Sequence, residues 1–301
     1  AHFRPYRHRV QAMIGTKRYS FPINAATFQQ VYGLEDPVRI REFINQYYPK
    51  SQIDRTNFET YCISSFGQTM YGLFYEGYTR KMWGVEPKEL PVRIAERIPI
   101  RTVYSDQLFN DTYEGIPEVG YDPMVASMIH GSTVRLGEEF IDNQSAYERC
   151  SDHILYTGSI DEIMNFQFGP LPYRKITFER TQINEQKIGC PVINYPEAHI
   201  PYTRVAEQSH FMGIGQRNPL LPDALVTEYP GNHEPSDIHG RAYPMPTKEA
   251  ERIMEQYEEL WKKSYASRNY HRAGRLGMYQ YINMDQAMDN GISVAEEILS
   301  Q

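Results

Sequence analysis

Four short strings of the sequence combine arginine with aromatic residues, glycine or proline. They are residues 77–84 (GYTRKMWG), 96–101 (ERIPIR), 200–204 (IPYTR) and 274–281 (GRLGMYQY). The planar fork of an arginine binds two phosphate oxygens at once, and an aromatic ring offers a flat face to a nucleotide base. One such string alone is more often a surface arginine beside a core aromatic residue. The four together predict a site for a nucleotide diphosphate.

Common catalytic signatures are absent from the sequence. It contains no Walker loop and no HExxH, CxxC or GxSxG pattern. The segment nearest to a dinucleotide fingerprint is Gly213-Ile214-Gly215, but Asn218 stands where the third glycine belongs. The segment also lies between strand-like runs instead of opening a helix, so we predict a turn there.

Composition narrows the class of protein. The 301 residues include 31 lysines and arginines against 38 acidic residues, and the net charge of −7 argues against general affinity for nucleic acid or an anionic membrane. No apolar stretch reaches the roughly 18 residues that cross a bilayer, so we expect no membrane span. The three cysteines have neither metal-ligand spacing nor an even number, which predicts a reduced, cytoplasmic protein without a metal site.

The elements that must position these strings follow from hydrophobic periodicity and turn residues. A hairpin is predicted over residues 9–22. Helices are predicted from Pro37 to Pro49 and over residues 68–81, 90–98, 121–130, 248–265 and 284–299. Strands are predicted over residues 132–136, 153–157 and 276–281. The runs 173–179, 191–195, 202–207 and 224–229 are typical of an antiparallel sheet.

In this order along the chain, the four strings resemble the UDP-galactopyranose mutase family. The likeness covers nearly the whole chain and extends to residues 20–24 (SFPIN), 88–101 (KELPVRIAERIPIR), 113–117 (YEGIP) and 156–161 (YTGSID). The resemblance implies a flavoenzyme that interconverts UDP-galactopyranose and UDP-galactofuranose through an adduct of the sugar with N5 of reduced FAD. It also implies a mixed α/β fold in which an FAD-type α/β layer, a helical bundle and an antiparallel sheet are interleaved in sequence.

The resemblance further implies how the chain is divided. Residues 1–25 would form the first sheet hairpin, and residues 26–100 a helical bundle with a mobile loop at 88–99. Residues 101–170 would be a mixed segment of the FAD-type domain, and residues 171–247 the antiparallel substrate sheet. Residues 248–301 would return to the FAD-type domain as a helix, a strand and a helix.

The family's functional residues fall on matching positions of this sequence. Arg97 and Arg204 match the catalytic pair of arginines that closes on the diphosphate. Residues expected to bind the substrate are Phe74, Tyr78, Thr79 and Trp83 near the uridine, Tyr243 and Tyr281 at the diphosphate, and Arg174 and Asn194 in the same cleft. Residues expected to touch the cofactor are Thr157, Gly158 and Arg275. Two positions depart from the pattern of the bacterial enzymes: Leu108 replaces a tyrosine, and Asn283 replaces an aspartate.

The largest departure lies at the start of the sequence. Family members begin with a βαβ unit whose GxGxxG loop holds the FAD pyrophosphate, whereas here Ala1-His2 leads directly into the first hairpin segment. Three hypotheses therefore stay open: a mutase whose front is supplied elsewhere, a flavin-free UDP-sugar-binding or structural subunit, and a flavoprotein that performs net redox chemistry. We expect UDP or UDP-galactose as the ligand, no retention of FAD by this chain alone, and a second copy or a partner chain against the face that the missing segment would cover.

Overall fold

The computed structural model describes residues 2–97, 99–183, 188–212, 223–237 and 239–300, and the turn predicted at residues 213–215 lies outside these ranges. The chain forms two compact units, each assembled from segments that are distant in sequence. Unit 1 comprises Ala1–Ser132 and Ile176–Gly231, and unit 2 comprises Thr133–Lys175 and Asn232–Gln301.

Runs of strands and runs of helices are interleaved along the chain, as the mixed fold class predicts. The strands are β1 Phe3–Pro5, β2 Val10–Ile14, β3 Lys17–Phe21, β4 Gly115–Pro117, β5 Ile154–Tyr156, β6 Tyr173–Ile183, β7 Val192–Asn194, β8 Arg204–Glu207, β9 Asp223–Asn232, β10 Tyr243–Pro244 and β11 Tyr270–Arg272. The α-helices are α1 Ala25–Tyr32, α2 Pro37–Tyr47, α3 Phe58–Tyr71, α4 Gly77–Trp83, α5 Val92–Glu96, α6 Tyr121–Met128, α7 Gln144–Glu148, α8 Ile160–Ile163, α9 Lys248–Ser264, α10 Gly274–Gly277 and α11 Met284–Leu299. Within the described ranges, no helix is both long and apolar enough to cross a membrane.

The central sheet of unit 1 runs in the order β6-β9-β8-β7-β2-β3. The predicted hairpin is present as β2 and β3, which pair from Val10 opposite Phe21 to Ile14 opposite Lys17. Gly15 closes the turn with a φ of 58°, a left-handed conformation that favours glycine. Strand β8 pairs in antiparallel fashion with both β7 and β9, as expected.

One pairing makes this sheet mixed instead of antiparallel. Strands β2 and β7 run parallel, with Val10 opposite Val192 and Ala12 opposite Asn194. No short turn joins them, because some 180 residues separate them in sequence, so their relative direction is set by tertiary packing. The four runs predicted to form an antiparallel sheet do not include β2, so the sheet becomes mixed where the hairpin joins them.

The helical part of unit 1 is held by local capping and by a continuous apolar stripe. The side chain of Asp36 accepts from the backbone N–H of Val38 at the start of α2, and Asn57 caps α3 through the N–H of Thr60. Helix α3 continues through a π-helical turn at Gly72–Glu76 into α4, where a separate helix over residues 68–81 was predicted. Gly67 bends this run with a φ of 89°, and a Cβ there would lie 2.2 Å from the Tyr48 hydroxyl.

Unit 2 is built around α9 and the parallel pair of β5 and β11. Ile154 lies opposite Tyr270, and the inner face of this pair contributes Tyr156 and Tyr270 to the core that includes Tyr257 and Trp261 of α9. Strand β10 pairs with the first residues of β6, with Tyr243 opposite Arg174.

Two predicted strands are wrong. Residues 132–136 form no regular element, and residues 276–281 form the end of α10 and an irregular segment. In the second case the aromatic alternation has a different origin: the Tyr279 hydroxyl donates to the carbonyls of Pro172 and Met245, and this anchors a turn. The strand in this region is β11, which lies just upstream.

Candidate functional site

A row of side chains crosses the sheet of unit 1 on one face. Arg204 of β8 lies opposite Asn194 of β7, Asn194 lies opposite Ala12 of β2, and Ala12 lies opposite Tyr19 of β3. Residues paired across neighbouring strands point to the same face of a sheet. At about 4.8 Å per strand, Arg204 and Tyr19 are roughly 14 Å apart along this row.

The helical segment reaches the same face through Phe74. The Phe74 ring packs edge-on against Tyr19, with the ring centroids 5.5 Å apart, and its side chain is buried. The structure therefore brings Phe74, Asn194 and Arg204 to one face of one sheet. Phe74 is predicted to lie near the uridine, and Asn194 and Arg204 are predicted to lie in the diphosphate cleft. In sequence, 130 residues separate Phe74 from Arg204.

Arg204 is oriented by a carboxylate on the next strand. Its Nε donates to Oε2 of Glu228 at 2.5 Å, and the two residues are directly opposite in the β8–β9 register. The Arg204 side chain is 30% exposed, so its guanidinium lies at the surface of the sheet. A partly exposed arginine held by a carboxylate on one side can present its charge to an anion on the other.

His8 carries a neutral imidazole near this arginine. Burial, and then the positive charge of Arg204, lower the pKa of His8 to about 4. An unfolded histidine titrates near pH 6.5, so between pH 6.5 and 4 the unfolded chain binds more protons than the folded one. Stability must therefore fall as the pH falls through this window.

This titration gives a direct test on stability. Between pH 7 and pH 5, we expect the free energy of unfolding of the wild type to drop by about 2 kcal/mol more than that of His8→Gln, which cannot take up the proton. Chemical denaturation of both proteins at the two pH values measures the difference. Equal losses in the two proteins would contradict the assignment of a buried, neutral His8.

The aromatic string at residues 77–84 forms α4. Thr79 and Trp83 are 3% and 4% exposed, so both pack inside unit 1, whereas Tyr78 is half-buried. Contact of these residues with a uridine remains a prediction. Gly84 ends the helix with a φ of 68°, as a left-handed C-terminal cap.

Two further residues of this string were not expected from the sequence to act at the site. Nζ of Lys81 donates to the carbonyls of Tyr195, Ile200 and Tyr202, in the loop between β7 and β8. A Cβ on Gly77 would lie 2.3 Å from the carbonyl oxygen of Pro196 in the same loop. The sequence holds one indication of this contact: Gly77 and Lys81 are four residues apart, which puts both on one face of a helix.

Arg97 follows the last residue of α5. It forms the C-terminal cap of that helix and is half-buried. The segment before it is packed, because Leu90 is 1% exposed and its carbonyl accepts from the N–H of Phe58 at 2.9 Å. The predicted helix at residues 90–98 is present in shorter form, and Ile98 lies outside the described ranges. The mobility of residues 88–99 remains a prediction.

In unit 2, Arg275 lies at the centre of a second cluster. Its guanidinium donates to the carbonyls of Ala242 at 2.9 Å and Ile282 at 2.6 Å. The same group lies over the rings of Tyr243 and Tyr281, 5.1 and 5.6 Å from their centroids. The two tyrosine rings pack edge-on at 5.2 Å, so Arg275 fixes both of them.

Arg174 and the turn at Thr157-Gly158 lie in the same unit. Arg174 is 4% exposed, burial lowers its pKa, and it donates to Oδ1 of Asn232 while pairing with Tyr243 across the strands. A Cβ on Gly277 would lie 2.9 Å from the carbonyl oxygen of Tyr156 and 3.5 Å from Cα of Thr157. The turn therefore packs directly against the α10 segment that carries Arg275.

These residues are an incomplete fit to FAD. A flavin dinucleotide needs a glycine-rich loop that leads into a helix and cradles the pyrophosphate with backbone N–H groups. In the part of the chain that the structure describes, the turn at Thr157-Gly158 leads into α8, which has four residues, and Gly274 opens α10, which also has four. Contact of Thr157, Gly158 and Arg275 with a flavin remains a prediction, and we derive no chemical step through it. In the same ranges, no three His, Cys, Asp or Glu side chains are grouped to hold a metal ion.

Comparison with known proteins identifies the class. The family profile described as UDP-galactopyranose mutase matches residues 73–281, which include all four arginine strings in full. The chain therefore belongs to the UDP-galactopyranose mutase family, whose members are flavin-dependent isomerases.

Two curated relatives align in sequence with all or nearly all of this chain. It is 31% identical over 303 residues to a probable UDP-galactopyranose mutase of Klebsiella pneumoniae, covering 100% of this chain and 76% of that protein. It is 29% identical over 302 residues to the dTDP-fucopyranose mutase of Escherichia coli, covering 98% and 78%. A crystal structure of reduced UDP-galactopyranose mutase aligns with 100% of this chain and 80% of its own, at a TM-score of 0.70 and 13% identity, and this supports the fold.

Proposed function

We propose that this chain binds the nucleotide diphosphate of UDP-galactose and forms the substrate-binding part of a UDP-galactopyranose mutase. The observation that carries the proposal is the row on the sheet of unit 1, where Asn194 and Arg204 share a face with the Tyr19–Phe74 pair. An aromatic edge for the base and an arginine for the phosphates, roughly 14 Å apart, match the extended shape of a uridine diphosphate.

The predicted arginines and tyrosines have distinct binding roles in this proposal. Arg204, oriented by Glu228, takes the diphosphate oxygens, and Arg97 at the end of α5 adds a second positive charge when the 88–99 segment closes. In unit 2, the hydroxyls of Tyr243 and Tyr281, whose rings Arg275 fixes, are proposed to donate to a diphosphate. By neutralising that group, the arginines stabilise the charge that develops when the bond between the anomeric carbon and the UDP oxygen breaks.

The family's flavin supplies the nucleophile for this reaction. In this chain, the residues proposed to contact it are Thr157, Gly158 and Arg275. A second candidate function is a flavin-free protein that binds UDP-sugars without converting them, and a measurement of FAD binding by this chain distinguishes the two.

Apolar exposure supports the proposal that another chain or a second copy contacts unit 2. The exposed side of α11 carries Met284, Met288, Ile292 and Leu299, a stripe at helical spacing, and the exposed fractions of Ile292 and Leu299 are 58% and 86%. Parallel strands are nearly always covered on both faces, yet Leu155 of β5 is 42% exposed. We also propose a cytoplasmic location for the protein.

The test separates binding from conversion. Titration of UDP and UDP-galactose into the chain by calorimetry measures binding, and product analysis after addition of FAD and dithionite measures conversion. Binding with conversion supports the mutase, and binding without conversion supports the flavin-free candidate. Absence of binding would refute both.

A further inference from the structure

The loop between β7 and β8 has the two predicted ligand residues at its ends. Asn194 is the last residue of β7, Arg204 is the first residue of β8, and the two are paired. The backbone N–H of Tyr195 donates to the carbonyl of Thr203 at 2.8 Å, which closes the loop directly behind this pair. The conformation of residues 195–203 therefore sets the positions of Asn194 and Arg204.

An ammonium group from another part of the chain holds this loop. Nζ of Lys81 lies 2.5 Å from the carbonyl oxygen of Tyr195, 3.0 Å from that of Ile200 and 2.9 Å from that of Tyr202. An ammonium has three N–H donors, so its number of donors matches these three acceptors. The acceptors come from both arms of the loop, and one cation thus ties the arms together.

Gly77 allows the helix to approach closely enough for this contact. It lies one turn before Lys81 on the same face of α4, and a Cβ there would lie 2.3 Å from the carbonyl oxygen of Pro196 and 3.1 Å from the backbone nitrogen of Ala198. The rings of Tyr195 and Tyr202 pack edge-on at 4.8 Å and complete the loop. Helix α4 and the loop therefore meet backbone to backbone, with Lys81 as the polar link.

Several titratable groups surround this ammonium. Burial lowers the pKa of Lys81 to about 8, and the negative charge of Glu197 opposes that shift. Glu197 is itself held by the N–H of Gly15, in the turn between β2 and β3. Titratable groups on the loop are His199 and the phenols of Tyr195 and Tyr202, and Tyr78 lies on the helix. From neighbouring elements, the Tyr229 ring packs against Tyr202 and the charge of Arg18 acts on Tyr195.

We propose that Lys81 is a positioning residue of the diphosphate site, whose ammonium holds the 195–203 loop so that Asn194 and Arg204 are presented on the sheet face. This inference rests on the proposed function, since it takes Arg204 as a ligand of the UDP diphosphate. Lys81 acts through Arg204 and is not expected to contact the ligand.

The central experiment is a double-mutant cycle on UDP affinity. Lys81→Met keeps the aliphatic stem but removes the ammonium, and we expect it to weaken UDP binding about 10-fold, the loss that accompanies one misplaced charge-assisted hydrogen bond. If Lys81 acts through Arg204, the double variant with Arg204→Ala binds UDP no more weakly than Arg204→Ala alone. A purely structural lysine would give additive losses. The matched control is Lys50→Met, at an exposed lysine of unit 1, which leaves UDP affinity unchanged.

A second measurement needs no lysine-to-methionine variant and covers the case in which that variant fails to fold. Between pH 7 and 8.5 the phosphates of UDP keep their charge and its uracil ring stays neutral, whereas Lys81 loses most of its proton. We expect UDP affinity of the wild type to fall over this range and that of Lys81→Arg to stay level.

The outcomes separate this inference from the proposed function. A wild-type UDP affinity that falls as the pH rises, together with non-additive losses in the double-mutant cycle, supports the inference. If UDP binds and Arg204→Ala weakens binding, then additive losses or a level wild-type pH profile overturn the role of Lys81 alone. If the wild type does not bind UDP, the proposed function fails and this inference fails with it.

Discussion

Replacing Arg204 by alanine is expected to weaken UDP binding by roughly 10- to 100-fold while the protein stays folded. Charge-assisted hydrogen bonds to phosphate are worth about 1.5–3 kcal/mol each, and this range corresponds to that loss of affinity. The side chain is 30% exposed, so its removal opens no core cavity. Isothermal titration calorimetry measures the affinity, and circular dichroism checks the fold.

Further variants separate the effect of the positive charge at residue 204 from that of the planar guanidinium group. Arg204→Lys keeps the charge but loses the planar fork, so we expect it to restore only part of the affinity. Arg180→Ala changes an exposed arginine of β6 in unit 1, away from the row, and should bind UDP like the wild type. Arg97→Ala is expected to lose affinity as Arg204→Ala does. Unchanged UDP affinity in both of these alanine variants would end the assignment of a diphosphate clamp.

The second large effect concerns the cofactor. The 301-residue chain, expressed by itself, is expected to purify without stoichiometric FAD and to show no mutase turnover even with dithionite. The described residues predicted to contact the cofactor, Thr157, Gly158 and Arg275, all belong to unit 2 and would touch a flavin from one side only. Association alone costs at least several kcal/mol, so a large cofactor held by half of its contacts binds weakly.

Visible absorbance reports on this prediction directly. The ratio of flavin absorbance to protein absorbance gives the bound fraction, and a titration with added FAD gives the affinity. Yellow protein with one FAD per chain would contradict the prediction. It would also show that this chain holds the pyrophosphate by a route that neither α8 nor α10 provides.

Much of the local structure could be predicted because its causes are local. Asp36 before Pro37, Asn57 and the apolar stripe of α9 each specify a helix through capping or periodicity, and Met284–Leu299 has the predicted bounds. The hairpin of β2 and β3 follows from a glycine turn between two β-rich runs. In each case the residues that stabilise the element lie within a few positions of one another.

Errors arose where distant segments decide the structure. Residues 276–281 alternate like a strand, but hydroxyl bonds from Tyr279 to two remote carbonyls hold them in a turn. The parallel pairing of β2 with β7 leaves no local signal, because no short connection links the two strands. The contacts of Lys81 could not be predicted for the same reason. Its three acceptors are backbone carbonyls 114 to 121 residues away, and every residue has a backbone carbonyl, so the sequence does not single these out.

In the candidate site, the identity of several residues could be predicted from the sequence, but their arrangement in space could not. The resemblance to the mutase family selected Phe74, Asn194 and Arg204, but their common face became evident only from the register of four strands. Phe74, Thr79 and Trp83 are all buried in unit 1, so these three family-matched residues serve packing, and their contact with a uridine remains a prediction. A family motif therefore identifies candidate residues, and the structure sorts them by role.

The most direct test of the central claim is a calorimetric titration of the wild-type chain with UDP, beside parallel titrations with uridine and with inorganic phosphate. The account predicts saturable binding of one UDP per chain, with much weaker binding of uridine or phosphate alone, because base and diphosphate are held by separate groups along the row. No saturable UDP binding at roughly millimolar concentration, near the weak limit of specific recognition, would contradict it.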